Sequence, residues 1–201
     1  MPQSIHNQIE ENIKTLKKGT IIFSTDFREY GTAENVKRVL IRLEKKEILI
    51  RLARGIYLYP KKDKILRTIF PSTEEIALGI AKRDKARINS TGALALKQLG
   101  LSAEIPMNLV YITDGPVRKI KVRKSIITFK KTTPKNLTIK NKKLNAVIQG
   151  FKELGKENIN ENATLKIKKV LCQLPVKNLK EDINVAPTWI KNLISELIKN
   201  K

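Results

Sequence analysis

The chain has 201 residues, with 41 Lys and Arg against 19 Asp and Glu and a hydrophobic content of 41%. That content is too apolar for a disordered chain, and a net charge of +22 goes beyond what solubility needs and points to a polyanionic partner. One cysteine, Cys172, excludes an internal disulfide framework and a multi-cysteine metal site and is expected in the core; with no leader-like or membrane-length apolar run, a cytoplasmic protein without membrane contact is expected.

The length suits two small domains, expected at 1–62 and 71–201. Ile5, Ile9, Ile13 and Leu16 recur at helical spacing and predict a first helix over roughly 3–17, stopped by Gly19. "STDFREYG" predicts a two-turn helix with a Ser or Thr cap, closed by Gly31. Thr32 caps a third helix in which Val36, Val39, Leu40 and Leu43 form an apolar stripe, with Lys37, Arg38, Arg42 and Lys45 on the outer or flanking faces. "EILIRL", "ARG" and "IYLY" read as strand, tight turn and return strand, with Gly55 where positive φ is needed. Pro60 and "KKDK" then predict a linker.

This order of helix, short helix, third helix and hairpin is that of a winged helix-turn-helix. The third helix would enter the major groove of double-stranded DNA, and Arg54 at the hairpin tip, with Arg51 on its flank, would reach a phosphate or the minor groove. The amides near Ser24 and Thr25 would face the backbone. The DNA-binding set is therefore Ser24, Thr25, Thr32, Glu34, Asn35, Lys37, Arg38, Arg42, Lys45, Arg51 and Arg54, and a dimer on an inverted repeat is one way to use it.

A mixed α/β domain follows. Ser72 and Glu75 predict a capping box, "STGALALKQLG" a helix closed by Gly100, and "NLVYIT" a buried strand. Residues 116–143 carry eleven Lys and Arg and no acidic residue, half the net charge. Ile120 and Val122 alternate there with Lys119, Lys121 and Arg123, which predicts half-buried strands with one basic face. Arg118, Lys119, Lys121, Arg123, Lys124, Lys130 and Lys131 are the candidate polyanion or antitoxin contacts. Three amphipathic segments, "LNAVIQGFKELG", "ATLKIKKVLCQL" and "PTWIKNLISELIKN", finish the chain. The fold class expected is α+β.

Catalytic chemistry has little to stand on. The single histidine, His6, gives no His-based acid–base pair. Glu44-Lys45-Lys46 lies on a helix, whereas a metal nuclease needs carboxylates converging on one ion. Asp114 precedes Gly115-Pro116 and reads as a turn residue, and Ser90-Thr91-Gly92 lacks the lysine and glycine spacing of a phosphate loop and reads as a helix cap. Trp189 shares helical spacing with Ile190, Leu193 and Ile194 and reads as core packing. No enzyme, cofactor or metal is expected.

The run "FSTDFREYGTAENVKRVLIRLEKKEILIRLARGIYLYP" resembles the N-terminal winged helix of AbiEi-type antitoxins, from bacterial type IV toxin–antitoxin and phage abortive-infection systems. "STGALALKQLGLS" and "VYITDG" are similar to short-form members, and the likeness covers roughly residues 19–130. The resemblance implies a repressor of its own operon that also counteracts a nucleotidyltransferase toxin encoded next door. It places DNA reading on the helix from Thr32 to Lys46 and the wing around Arg54, and the short chain implies a reduced C-terminal domain. Two other readings remain: a winged-helix transcription regulator with no toxin partner, and an RNA-binding accessory protein using the 118–131 strands.

Overall fold

A computed structural model describes residues 4–104, 106–139, 141–175 and 182–199 of a mixed α/β protein. The chain divides into two compact units, Met1–Gly79 with Lys121–Arg123, and Ile80–Ile120 with Lys124–Lys201.

In the first unit α1 (Ile5–Thr15) starts where the Ser4 hydroxyl accepts the Asn7 amide at 3.3 Å. Gln3, where the expected helix begins, lies outside the described residues. The helix ends before Gly19, whose amide donates to the Tyr59 carbonyl at 2.7 Å and so turns the chain into a sheet. After β1 (Ile21–Phe23) the short helix expected there is present as a 3₁₀ helix (Ser24–Tyr30) that ends at Gly31. Its start is held by Asp26, whose carboxylate accepts the Phe23 amide at 2.8 Å, so neither Ser24 nor Thr25 supplies the side-chain cap. Phe27 breaks the helical geometry (φ −110°, ψ 21°) and is buried in the core.

The Thr32 hydroxyl accepts the Asn35 amide at 3.3 Å and caps α2 (Ala33–Lys45), which buries Val36, Val39, Leu40 and Leu43 against Ile9, Ile13 and Phe27. Four such side chains leaving water contribute about 1.5–3 kcal/mol each, so this stripe fixes which face of α2 is left outside. β2 (Ile50–Ala53) and β3 (Ile56–Leu58) pair antiparallel, and β1 completes a sheet of order β1-β3-β2. The expected linker is instead a second hairpin, β4 (Lys61–Asp63) with β5 (Arg67–Ile69). Its strands are too short and charged for a strand pattern to show, and Asp63 sets the turn by accepting the Ile65 and Leu66 amides at 2.8 and 3.0 Å.

α3 (Thr73–Arg83) opens with the expected capping box: the Ser72 amide donates to the Glu75 carboxylate at 2.7 Å, and the Glu75 amide donates to the Ser72 hydroxyl at 3.1 Å. The Ser72 amide also holds the Glu75 carboxyl below its usual range.

The larger sheet consists of β6 (Ile88–Ser90), β7 (Asn108–Thr113), β8 (Arg118–Val122) and β9 (Ser125–Lys131), in the order β6-β7-β9-β8, and belongs to the second unit except for Lys121 and Val122, which group with the first. β7 runs parallel to β9 with Tyr111 opposite Phe129, and the two rings stack at 6.0 Å. α4 (Ala93–Gln98) begins at Gly92 (φ +61°) with no side-chain cap. Thr91 donates its hydroxyl to the Val110 carbonyl at 3.1 Å, which corrects its expected role as a cap.

α5 (Lys142–Leu154) is buried on all sides from Leu144 to Phe151, among α4, β6, α6 (Glu161–Cys172) and α7 (Thr188–Lys199). Asn200, in the last expected segment, lies outside the described residues. α6 buries Ala163, Ile167 and Leu171, a stripe that leaves Cys172 one position off the apolar face; it is exposed, not a core residue. Trp189 packs edge-on against Phe151 at 6.4 Å, as its spacing suggests.

Candidate nucleic-acid interface

With its apolar stripe turned inward, α2 presents Glu34, Asn35, Lys37, Arg38, Arg42 and Lys45 to solvent, and Thr32 is exposed just before it. Arg38 pairs with Glu34 at 2.6 Å, and the two side chains are 65% and 70% exposed. An exposed pair at this helical spacing is worth about 0.3–0.5 kcal/mol, too little to keep Arg38 from a phosphate or a base edge. Among the described residues, Lys37, Arg42, Lys45, Arg51 and Arg54 form no ion pair.

The hairpin beside α2 has a fixed shape. A bulge falls between Arg51 and Ala53, and the turn puts Arg54 at the tip and Gly55 at φ +71°. The Gly55 carbonyl accepts the Ser24 amide at 3.0 Å, and a Cβ on Gly55 would stand 3.0 Å from the Ser24 hydroxyl. The wing-like turn is thus tied to the start of the 3₁₀ helix. That bond also takes the Ser24 amide, so it is not offered to a phosphate as the sequence suggests. Ser24 and Thr25 are both half-buried, and the Thr25 hydroxyl oxygen is enclosed without a hydrogen-bond partner. Arg51 stands opposite Tyr57 in the register; burial pushes the Tyr57 phenol up, while the nearby Arg51 charge opposes the shift.

The basic strands divide differently. Arg118 is not on an open basic face: it pairs with Asp84, its guanidinium lies 5.6 Å over the Phe129 ring, and burial holds its pKa below the usual value. Asp84 lies 34 residues earlier, a pairing that local alternation does not reveal. Lys119, Lys121, Lys124 and Lys130 are exposed. Lys131 is exposed but donates to the Asp114 carbonyl at 3.0 Å, and Arg123 lies 4.0 Å over the Phe70 ring. Asp114 itself accepts the Arg87 amide and Nε, both at 2.8 Å, and that guanidinium holds its carboxyl below the usual range.

Four cations of the second hairpin, Lys61, Lys62, Lys64 and Arg67, are exposed as well and fall outside the expected set. Asp63 within "KKDKILR" is the turn signal that marks them. Among the described residues no three His, Cys, Asp or Glu gather as a metal site requires, and no helix is long and apolar enough to cross a membrane. In comparisons with known proteins, the family described as "Family of unknown function (DUF6088)" matches residues 8–179. No curated protein matches the chain.

Proposed function

This chain belongs to the DUF6088 family, and we propose that it is a double-stranded DNA-binding protein whose first unit is a winged helix. One observation carries the reading: the outer face of α2 is basic and exposed, and it is followed by a hairpin whose arginine tip is anchored through Gly55 to Ser24. In this reading α2 enters the major groove, Arg38 and Arg42 read base edges, and Arg54 and Arg51 hold the backbone. The AbiEi resemblance supplies the biological setting: an autorepressor bound at an inverted repeat in its own promoter, and an antitoxin opposing a neighbouring nucleotidyltransferase toxin.

Fluorescence anisotropy on the protein's own promoter fragment tests the DNA reading. Arg38→Ala or Arg42→Ala is expected to cost about 1–3 kcal/mol, a roughly 5- to 150-fold loss in affinity for the promoter. Arg54→Ala is expected to weaken specific and unspecific DNA alike and to reduce the salt slope by about one ion. Wild-type affinity in all three variants would refute the assignment. A toxin-rescue assay with the adjacent reading frame tests the antitoxin role, and failure to rescue with intact promoter binding would leave a transcription regulator without a toxin partner.

A further inference from the structure

The α2 helix holds two acids, and they are placed differently. Glu44 is half-buried near its end, whereas Glu34 in its first turn is 70% exposed. At 3.6 residues per turn, the positions opposite the buried Val36, Val39, Leu40 and Leu43 include Glu34, Arg38 and Lys45. Glu34 therefore stands in the middle of the outward face, at the end of the helix that meets base edges when a recognition helix docks. Helix capping does not account for this place. The Thr32 hydroxyl already caps α2, and an acid at the exposed Ala33 or Asn35 would serve the helix dipole equally without lying in that row. For affinity alone the carboxylate is a liability, because it repels the phosphates that Arg38 and Lys45 attract. Arg38 is bonded to it through one guanidinium nitrogen and one carboxylate oxygen, which leaves the other oxygen and further N–H donors to face a groove together.

We propose that Glu34 sets the sequence specificity of α2 by accepting the N4 amino group of a cytosine, an inference that rests on the DNA reading given above. In the major groove a carboxylate meets acceptors at guanine N7 and O6, adenine N7 and thymine O4. Cytosine N4 is a donor with no acceptor beside it on its own base, whereas the adenine amino group stands next to N7. The carboxylate is thus accepted opposite cytosine and penalised elsewhere, which gives specificity by excluding wrong partners. Arg38 lies one helical turn further on, about 5.4 Å, against about 3.4 Å per base pair, so it addresses a neighbouring pair and donates there to guanine. The ligand is accordingly a duplex whose site presents a C·G pair to the start of α2.

Selection of the full chain on a duplex library with a randomised core, followed by competition anisotropy on the selected site, tests this. The wild type is expected to fix one C·G pair that Glu34→Ala leaves free. Replacing that pair by T·A is expected to weaken the wild type at least about fivefold and Glu34→Ala less than about twofold. Glu34→Gln is expected to favour adenine at the same position, because a carboxamide bonds adenine N6 and N7 together. On random duplex both variants are expected to bind at least as tightly as the wild type, since a negative charge has gone. Variants that tighten on every sequence and still select cytosine would overturn the inference and leave Glu34 a helix-end residue. Variants that relax only the pair relaxed by Arg38→Ala would overturn it too, because Glu34 would then merely orient Arg38. In both cases a changed preference in Arg42→Ala keeps the DNA reading standing. If Arg38→Ala, Arg42→Ala and Arg54→Ala all match the wild type, the DNA reading falls and this inference falls with it.

Discussion

Gly55→Ala isolates the tie between the hairpin turn and the 3₁₀ helix. Gly55 sits at φ +71°, where an L-residue with a Cβ is disfavoured by about 1–2 kcal/mol. Its new Cβ would also stand 3.0 Å from the Ser24 hydroxyl oxygen. That oxygen can rotate away, so the contact adds only a rotamer penalty of about 0.5–1 kcal/mol. Part of the total is offset because alanine restricts the unfolded chain by about 0.4–1 kcal/mol relative to glycine. The net expected loss is about 1–2 kcal/mol, measured as a lower urea midpoint by far-ultraviolet circular dichroism with an unchanged slope. Repeating the change in a Ser24→Ala background separates the two causes, since the hydroxyl is gone but the Ser24 amide still bonds to residue 55. The backbone share, about 1 kcal/mol, is expected to persist there, and Gly55→Asn is expected to recover part of it because Asn tolerates the left-handed region. Full recovery by Ser24→Ala, or a Gly55→Ala loss below about 0.5 kcal/mol in the parent, would refute the claim that the turn requires glycine for its backbone.

Two other predictions concern the second unit. The Arg87 guanidinium lowers the Asp114 pKa, so this pair stabilises the fold above the ordinary carboxylate value and loses that effect as pH falls through the lowered native one. Asp114→Asn is expected to cost about 1 kcal/mol or less at pH 7, because the Arg87 side chain is more than half exposed, and less than that once the pH is low enough to protonate the carboxylate; a loss that does not shrink as pH falls in urea unfolding would contradict it. Gly150→Ala in α5 would put a Cβ 2.5 Å from the Leu99 terminal methyl, so overpacking of about 1–3 kcal/mol should outweigh a helix-propensity gain of about 1 kcal/mol. In a Leu99→Ala background the same change is expected to stabilise, and a stabilising effect in the parent would show that α4 and α5 do not need a glycine between them.

The parts of the fold legible in the sequence are those whose cause is local. Thr32 lies three residues before the amide it caps, the Ser72–Glu75 box closes within one turn, and the α2 stripe repeats at helical spacing, so each can be read along the chain. Gly55 announces its turn for the same reason. What escaped has partners far away or no periodicity. The 3₁₀ geometry of Ser24–Tyr30 depends on Phe27 reaching a core built by α1 and α2, and the Ser24 amide is claimed by a carbonyl 31 residues later. Three-residue strands such as Lys61–Asp63 are too brief to alternate visibly. Cys172 is the last residue of α6, which the sequence shows as an amphipathic segment, but it falls one position beyond the buried stripe, where a residue's apolar character alone does not decide its side.

The same distinction changes the weight of the two basic regions. By sequence, residues 116–143 dominate, with eleven cations and no acid. In the fold Arg118 is bound to Asp84, Lys131 to a carbonyl and Arg123 to an aromatic face, so three of those cations already have a structural contact, although Lys131 and Arg123 stay exposed. Lys119, Lys121, Lys124 and Lys130 remain exposed, spread over an edge strand, a turn and the strand beside it. On α2 and its hairpin the balance is reversed. Lys37, Arg42, Lys45, Arg51 and Arg54 are exposed without an ion pair among the described residues, and the only acid engaged, Glu34, holds Arg38 by a bond too weak to compete with a polyanion. Net charge brings a chain to nucleic acid, but specific binding needs cations that are both free and rigidly placed. The α2 face, fixed by its buried stripe and flanked by an anchored turn, meets both conditions. For that reason we rest the proposed DNA reading on α2 and the β2–β3 hairpin, with the exposed lysines of β8 and β9 as a second candidate surface for a polyanion.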